Sequence, residues 1–360
     1  MYTASQIFTG DSWLNDHAVV VRDSIIEAIV PVSSLPADTI KKDFANSFIA
    51  PAFIDLQIYG AHGKLLSVYP DVGALAKLVD YCRKGGAAYC LPTVATNETE
   101  VLYKSIDAIN EYWKNGGSGV LGLHVEGPWI NPVKRGAHLE KFIHSPSIDE
   151  VEKLLDYGEG VIKIITLAPE VCSKEVIRLI RSHNIVVSAG HSNATYKEAM
   201  DAFENGISAV THLYNAMSPL LHRAPGLVGA AMNGNTMTSI VPDGYHVDFA
   251  AIRIAKQVMK ERLFVITDAV TETKEGPYQH YLAGDKYESA GILSGSALTL
   301  QKALYNLIHH VGIDKEEALR MCSLYPAKTV ALDHELGRIQ SGYRADMVVL
   351  SNDLQFVSLL

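Results

Sequence analysis

The middle of the chain alternates between two patterns of hydrophobic positions. Short continuous apolar runs are typical of strands buried on both faces, whereas apolar residues three or four positions apart are typical of amphipathic helices. Eight runs occur, and most of the gaps between them carry the helical spacing: Ala52–Ile58, Ala88–Pro92, Val120–Val125, Val161–Leu167, Ile185–Ala189, Ala209–Leu213, Ser239–Pro242 and Phe264–Thr267. This alternation predicts a parallel (β/α)8 barrel of the TIM type over residues 49–335.

A doubly wound open sheet is the alternative fold for the same alternation. The unusual polar residues favour the barrel, because they fall just after apolar runs. A barrel gathers the loops that follow its strands at one end, where they form a single site.

Both ends of the chain are rich in short strands. Residues 1–48 contain apolar runs at Gln6–Phe8, His17–Val21 and Ile25–Ile29, separated by turn residues. Residues 336–360 contain two more, at Gly337–Ile339 and Asp346–Leu350. Such runs between turns indicate strands. We therefore predict a small β-sandwich domain formed by both termini.

Composition narrows the class of function. The net charge of the 360 residues is −9, and Lys and Arg never cluster in runs longer than a pair. This balance argues against a nucleic-acid or anionic-membrane surface. The four cysteines lack C-x-x-C spacing, and neither a signal peptide nor an apolar run of about 18 residues is apparent. We expect a cytoplasmic protein with reduced thiols.

Three polar side chains follow separate predicted strands: Glu126 in VLGLHVEGPWIN, His191 in SAGHS and His212 in VTHLYNAM. A carboxylate at the end of an apolar strand is costly to bury unless it meets a cation or donors. One carboxylate and two imidazoles around an open position suit a catalytic zinc or a similar divalent ion. A structural role is the commoner explanation for one such histidine, but three strand ends together favour a metal site. For His124 we favour packing, or support of a ligand, over metal binding.

Two further residues have the chemistry to act beside a metal-bound water. Asp268 stands in the last predicted barrel strand, where it can exchange a proton with water, although capping a helix is the structural alternative. His246, in VPDGYHVD, follows the seventh strand and can stabilise a carbonyl oxygen as negative charge develops.

Arg223 lies in a Gly- and Pro-flanked loop, LLHRAPGLVG, close after His212 in the sequence. A guanidinium beside backbone donors suits a substrate phosphate or carboxylate, and a solvated loop arginine is the alternative. The neighbouring His222 adds donor capacity.

The order of these motifs resembles that of N-acetylglucosamine-6-phosphate deacetylases, which belong to the metal-dependent amidohydrolase superfamily. The resemblance rests on PAFIDLQIYG, LHVEGPWINPVKRGAH, AGHSNATY, THLYNAMSPL-LHRAPG, PDGYHV, ITDAV and LSGSALTL, from about Pro51 to Leu300. SLYPAK and LGRIQSGYRADMVVL extend it towards the C-terminus.

The resemblance implies that Glu126, His191 and His212 bind the metal and that Asp268 is the acid and base. It implies that Arg223 and the backbone of Asn215 and Ala216 hold the phosphate. The full set of residues expected to contact the sugar phosphate is Ala137, His138, Asn215, Ala216, Arg223, Asp243, Gly244, Tyr245, His246, Leu293, Ser294 and Gly295.

The first predicted strand departs from the superfamily. Many amidohydrolases carry H-x-H there to bind a second metal, and this chain has Gln57-Ile58-Tyr59. Since glutamine is a poor metal ligand and tyrosine an uncommon one, we expect a single ion per subunit. Zn2+ is the first choice, with Fe2+, Mn2+ or Co2+ as alternatives.

The combined interpretation is a metal-dependent hydrolase that converts N-acetylglucosamine 6-phosphate to glucosamine 6-phosphate and acetate. The nearer alternative is an amidohydrolase for another N-acyl sugar phosphate or a cyclic amide. The more distant one is a catalytically silent barrel that serves as a binding protein. The group resembled implies a homodimer, and we expect no nucleic-acid or membrane partner.

Overall fold

The structure, a computed structural model, describes residues 1–36, 38–289 and 291–360. The strands are β1 (Tyr2–Phe8), β2 (Trp13–Leu14), β3 (His17–Arg22), β4 (Ile25–Pro31), β5 (Lys42–Pro51), β6 (Phe53–Ile58), β7 (Gly60–Ala61), β8 (Lys64–Leu65), β9 (Ala87–Ala95), β10 (Leu123–Glu126), β11 (Ile162–Leu167), β12 (Val186–Ala189), β13 (Ala209–Val210), β14 (Met237–Ile240), β15 (Leu263–Val265), β16 (Tyr281–Ala283), β17 (Lys286–Ser289), β18 (Ile292–Ser296), β19 (Met347–Ser351) and β20 (Phe356–Leu359).

The α-helices are α1 (Val72–Lys84), α2 (Thr99–Lys114), α3 (Ile148–Tyr157), α4 (Lys174–Ser182), α5 (Tyr196–Glu204), α6 (Gly226–Asn233), α7 (Phe249–Met259), α8 (Leu300–Asn306), α9 (Lys315–Cys322) and α10 (Leu324–Thr329). Polar side chains fix several helix starts by accepting a backbone N–H that the helix leaves free. Asp71 accepts from the amide of Ala74 at the start of α1. Thr195 and Glu198 form a reciprocal capping box at the start of α5.

The eight predicted apolar runs coincide with eight parallel strands, in the order β15-β14-β13-β12-β11-β10-β9-β6. All six residues of β6 are buried, as expected of a strand enclosed on both faces. The sheet closes where the chain after β15 meets the end of β6, since Asp268 N donates to Gln57 O at 3.0 Å and Tyr59 N to Ala269 O at 2.9 Å. The barrel prediction is therefore confirmed.

The two termini meet in a single seven-stranded sheet, so the prediction of a small terminal domain beside the barrel is also confirmed. Its order is β20-β19-β5-β1-β3-β4, with β2 paired to β1. The strand predicted at Gly337–Ile339 is wrong: its one ladder-like bond runs from Ile339 N to Thr9 O, and Gly337 has a φ of +82°. Strand β20 was not predicted. Strand β5 runs across the domain limit predicted between residues 48 and 49.

One hydrophobic cluster belongs mainly to the barrel and a second to the terminal sheet. The larger one joins the barrel strands to the surrounding helices. The smaller one lies in the terminal sheet and includes Ile7, Ile26, Ile49 and Met347. Among the described residues, no helix combines the length and the apolar character that crossing a bilayer demands.

Candidate functional site

Three side chains from three barrel strands converge at one end of the barrel. Glu126 is the last residue of β10, whereas His191 and His212 follow the ends of β12 and β13. Their candidate ligand atoms lie within 4.8 Å of one another, and all three residues are buried. The Nε2 atoms of the two histidines are 3.1 Å apart. Glu126 Oε1 lies 3.4 Å from Nε2 of His191 and 3.1 Å from Nε2 of His212.

The backbone at this end of the barrel is unusual. His191, His212 and Asp268 have φ angles of +47°, +37° and +54°. Residues other than glycine seldom adopt positive φ, and strain of this kind collects at functional sites when surrounding contacts hold it in place. The turn directs each side chain into the barrel mouth straight after its strand.

The donor set fits a divalent metal ion. Burial lowers the pKa of His191 to about 4, so its imidazole is neutral and free to act as a ligand. Burial alone raises the pKa of Glu126, but its interactions with His191, His138 and His212 outweigh burial and hold the pKa well below its usual range. His191 Nδ1 lies 3.0 Å from the carbonyl oxygen of Lys134, a contact that fixes the tautomer with Nε2 facing the site.

His124 does not belong to this cluster. Its Nδ1 contacts the carbonyl oxygen of Leu56 at 3.0 Å, and its Nε2 contacts Thr166 Oγ1 at 2.8 Å. Both ring nitrogens are therefore engaged inside the barrel, and burial lowers the pKa of His124 to about 4. This geometry agrees with the packing role favoured from the sequence.

The two residues at the H-x-H positions, Gln57 and Tyr59, also form hydrogen bonds with Glu126. Gln57 Nε2 donates to Glu126 Oε1 at 3.0 Å and to Asp268 Oδ1 at 2.9 Å. The Tyr59 hydroxyl donates to Glu126 Oε2 and lies 2.7 Å from Gln57 Nε2. Burial and the negative charge of Glu126 raise the pKa of Tyr59 well above its usual value, so the phenol stays protonated. Neutral donors thus contact both oxygens of the Glu126 carboxylate.

Asp268 and His246 lie together beside the cluster. Asp268 Oδ2 is 3.8 Å from His246 Nε2, and His246 Nδ1 is 2.6 Å from Asp243 Oδ2. Burial raises the pKa of Asp268, against the pull of the nearby histidines. Asp243 also accepts the backbone N–H groups of Tyr245 and His246, which fixes the ring that it contacts.

A cavity of about 170 Å³ opens over these groups. It brings together most of the predicted residues: Glu126, Ala137, His138, His191, His212, Asn215, Ala216, His246, Asp268, Leu293, Ser294 and Gly295. His138 faces it with both ring nitrogens engaged, Nδ1 to Thr96 Oγ1 at 2.7 Å and Nε2 to Glu126 Oε2 at 3.2 Å.

Four residues expected to contact the substrate do not line this cavity. Asp243 stands behind His246, while Gly244 and Tyr245 face a separate surface groove that Asp243 also borders. Arg223 is exposed at a tight turn closed by two bonds between Leu221 and Ala224. Within a single chain these four residues lie outside the cavity wall, and their contact with a substrate stays a prediction.

Other cavity residues were not assigned from the sequence. Tyr278 and His280 come from the long connection after β15, and Tyr59, Leu65, Ser67 and Val270 complete the wall. The segment between Gly276 and Gly295 is longer than a connection between a strand and a helix requires, and this length is a sequence feature that points to a loop over the site. The Tyr278 hydroxyl donates to Thr96 O at 2.5 Å, so the loop is fastened over the site.

A (β/α)8 barrel with a Glu, His, His cluster and an aspartate after its last strand defines the class of metal-dependent barrel hydrolases. The sequence pattern of the Amidohydrolase family matches residues 48–359, and that of the NagA composite domain matches residues 1–45. The chain belongs to the amidohydrolase family.

Similar proteins cover nearly the whole chain. The N-acetylgalactosamine-6-phosphate deacetylase of Escherichia coli O157:H7 is 31% identical, over 98% of this chain and 95% of its own length. The N-acetylglucosamine-6-phosphate deacetylase of Homo sapiens is 36% identical, over 87% of this chain and 82% of its own. The crystal structure of N-acetylglucosamine-6-phosphate deacetylase from Pasteurella multocida superposes with a TM-score of 0.94 at 35% identity, covering 98% of this chain and 96% of that chain.

Proposed function

We propose that the protein removes the acetyl group from N-acetylglucosamine 6-phosphate, giving glucosamine 6-phosphate and acetate. One observation carries the proposal: Glu126, His191 and His212 converge within 4.8 Å in a cavity that also exposes Asp268 and His246. The human and Pasteurella relatives supply the substrate class, since both are named for this deacetylation.

Glu126, His191 and His212 would hold the divalent ion. When bound, such an ion lowers the pKa of a water to about 7 and polarises the acetamide carbonyl. The set leaves a position open to solvent, as catalytic zinc sites do. We propose one ion per chain, because Gln57 and Tyr59 present neutral donors to Glu126 where a second ligand pair would otherwise stand. Zn2+ is preferred, with Fe2+, Mn2+ and Co2+ as alternatives.

Asp268 takes a proton from the attacking water and delivers it to the departing amine. Its Oδ1 accepts from Gln57 Nε2, which leaves Oδ2 free to face the cavity. The buried environment that raises the pKa of Asp268 makes it a stronger base than an ordinary carboxylate.

His246 donates from Nε2 to the carbonyl oxygen as negative charge develops there. Asp243 Oδ2 lies 2.6 Å from His246 Nδ1 and holds the ring in place. Leu65, Val270 and Leu293 keep the cavity wall apolar, so these charges act in a medium with little water.

The relatives favour a second candidate sugar. The Escherichia coli and Shewanella relatives, each 31% identical, are named for N-acetylgalactosamine 6-phosphate. The test is acetate release from a panel of the 6-phosphates of N-acetylglucosamine, N-acetylgalactosamine and N-acetylmannosamine, with free N-acetylglucosamine as reference. We expect the highest kcat/KM on N-acetylglucosamine 6-phosphate. A preference for the galactose epimer would replace the proposed sugar, and no acetate from any member would end the proposal.

The phosphate calls for a cation, and the described residues that line the cavity include neither Lys nor Arg. We propose Arg223 for this role.

Leu220 and Leu221, beside Arg223 in the sequence, are exposed, with 51% and 56% of their surfaces accessible. A second copy that covers them would bury apolar surface and enclose this loop. We accordingly propose a cytoplasmic homodimer of the 39.2 kDa chain, with neither nucleic acid nor membrane as partner; a monomer mass in light scattering would refute the dimer.

Replacing Arg223 by alanine should lower kcat/KM for the phosphorylated sugar by about 10- to 100-fold, the range for losing a charged hydrogen bond. The small residual activity on free N-acetylglucosamine should change less than twofold. Arg135→Ala is the matched comparison, since Arg135 donates to the backbone of Gly136 and His138 near the cavity. Equal losses on both substrates, or a selective loss only in Arg135→Ala, would remove Arg223 from the phosphate site.

A further inference from the structure

We propose that Asp55 and Thr267 form a buried clasp that positions Asp268, and that this clasp sets the turnover of the reaction proposed above. The inference depends on the proposed role of Asp268 as acid and base. Neither Asp55 nor Thr267 lines the cavity over the metal cluster, so they are positioning residues.

The clasp lies where the barrel closes. Strand β15 ends at Val265, and the next residues run beside β6 with few ladder bonds. Asp55, the third residue of β6, supplies the missing connection: Oδ1 accepts from Thr267 N at 3.1 Å and Oδ2 from Thr267 Oγ1 at 2.5 Å. Both residues are buried, at 1% exposure each. A side chain therefore replaces main-chain pairing just before Asp268.

The Thr267 hydroxyl connects the two chain neighbours of Asp268, Thr267 and Ala269, to Asp55. While it donates to Asp55, it accepts from the backbone N–H of Ala269 at 3.2 Å. Asp268 itself, between these two anchors, has a φ of +54°. A residue other than glycine keeps such a conformation only when its surroundings over-determine it. Asp268 N donates to Gln57 O and Asp268 O accepts from Ser296 N, both at 3.0 Å, and the clasp adds contacts on both chain neighbours of Asp268.

The same clasp reaches the side chain of Asp268 through Gln57. Asp55 Oδ1 also accepts from Gln57 N at 3.3 Å, and Gln57 Nε2 donates to Asp268 Oδ1. Asp55 thus fixes the strand that carries Gln57 and the turn that carries Asp268. Displacing Asp55 or Thr267 would therefore move both Gln57 and Asp268, the two partners of this hydrogen bond.

Among the described residues, the groups that interact with Asp55 include no cation. The titratable groups around it are Asp268, Tyr81, Cys82 and Cys322, and burial raises its pKa to about 7. The neighbours of Asp55 in β6, Phe53, Ile54 and Leu56, are apolar. Burying a carboxyl group among them without a salt bridge costs free energy of folding. Two hydrogen bonds from the turn before Asp268 and a third from Gln57 N within β6 offset that cost, which an apolar residue at position 55 would avoid altogether.

The test compares Thr267→Val, which keeps the shape but removes the hydroxyl, with Thr267→Ser, which keeps the hydroxyl. In Thr267→Val we expect kcat to fall by about 10²-fold, the effect of displacing a reacting group by about 1 Å. KM and the bound metal should stay within about twofold of the wild type. Thr267→Ser should recover most of the lost turnover, and Asp55→Asn, with one acceptor oxygen in place of two, should fall between them.

Two readouts separate positioning from a merely structural role. The pH profile of kcat should shift in Thr267→Val and return in Thr267→Ser, because the hydrogen bonds that tune Asp268 change. A crystal structure of Thr267→Val should show the Asp268 carboxylate displaced, with Glu126, His191 and His212 in place. If Thr267→Val shows the turnover and pH profile of the wild type, with the Asp268 carboxylate unmoved, the proposed role of the clasp is wrong.

The same experiment distinguishes failure of the clasp from failure of the proposed function. Wild-type protein that releases no acetate from the sugar panel would overturn the function, and the position of the Asp268 carboxylate would still test the clasp. A parallel fall of kcat, metal content and melting temperature in Thr267→Val, with wild-type turnover in Asp55→Asn, would assign the pair to stability alone.

Discussion

Replacing Asp268 by asparagine should lower kcat by a factor of about 10² to 10⁴, the contribution of a positioned general acid and base. Asparagine has nearly the same shape, and its oxygen can still accept from Gln57 Nε2, which lies 2.9 Å from Asp268 Oδ1. Its amide cannot take a proton from water or return one to the amine. Since Asp268 is not among the three ligand candidates, the metal should remain bound.

Single-turnover kinetics together with metal analysis of the same sample would check this expectation. Asp353→Asn is the control, because Asp353 is exposed near the C-terminus and this change should leave both quantities as in the wild type. A kcat within about twofold of wild type in Asp268→Asn would exclude Asp268 from proton transfer. Loss of the metal together with activity would instead make Asp268 part of the metal site.

The barrel could be predicted because its strands are buried on both faces and therefore read as continuous apolar runs. Periodicity locates such strands even where the ladder is short, as in β13, which covers only Ala209–Val210. The terminal sheet was predicted less well. Strand β20 has only four residues, all at least partly exposed, so its alternation is too brief to separate it from a loop.

The convergence of Glu126, His191 and His212 could also be predicted, because carboxyl ends of parallel strands meet at one end of a barrel wherever they stand in the sequence. Contacts that depend on loop paths could not. Tyr278 and His280 reach the cavity only because their long connection folds back over it, and Arg223 stays outside for the same kind of reason. Side-chain spacing carries no information on such paths.

The clasp shows a different limit. In the sequence, Asp55 is one acidic residue in an apolar strand, and Thr267 is an unremarkable residue 212 positions later. Their hydrogen bonds exist because the first and last strands of a closed barrel are neighbours. Barrel closure predicts that the two strands touch, but the register that pairs these residues comes only from coordinates.

Replacing Glu126 by glutamine should remove the bound metal and with it essentially all deacetylation. Glu126 is the only anionic member of the predicted ligand set, and an amide oxygen is a weak ligand for a zinc-type ion. The exchange also places an amide N–H₂ among donors, because Gln57, Tyr59 and His138 all face the carboxylate oxygens. We therefore expect Glu126→Gln to lose both the metal ion and the hydrogen bonds that the carboxylate accepts.

Inductively coupled plasma mass spectrometry on protein stripped with a chelator and reloaded separately with Zn2+, Fe2+, Mn2+ or Co2+ would measure the effect. Wild-type chain should bind about one ion, with activity returning in proportion to occupancy, and Glu126→Gln should bind almost none. Glu152→Gln, an exposed change on α3, is the matched control. Two ions per wild-type chain would contradict the single site. A second metal would have to replace the hydrogen bonds that Gln57 and Tyr59 donate to Glu126.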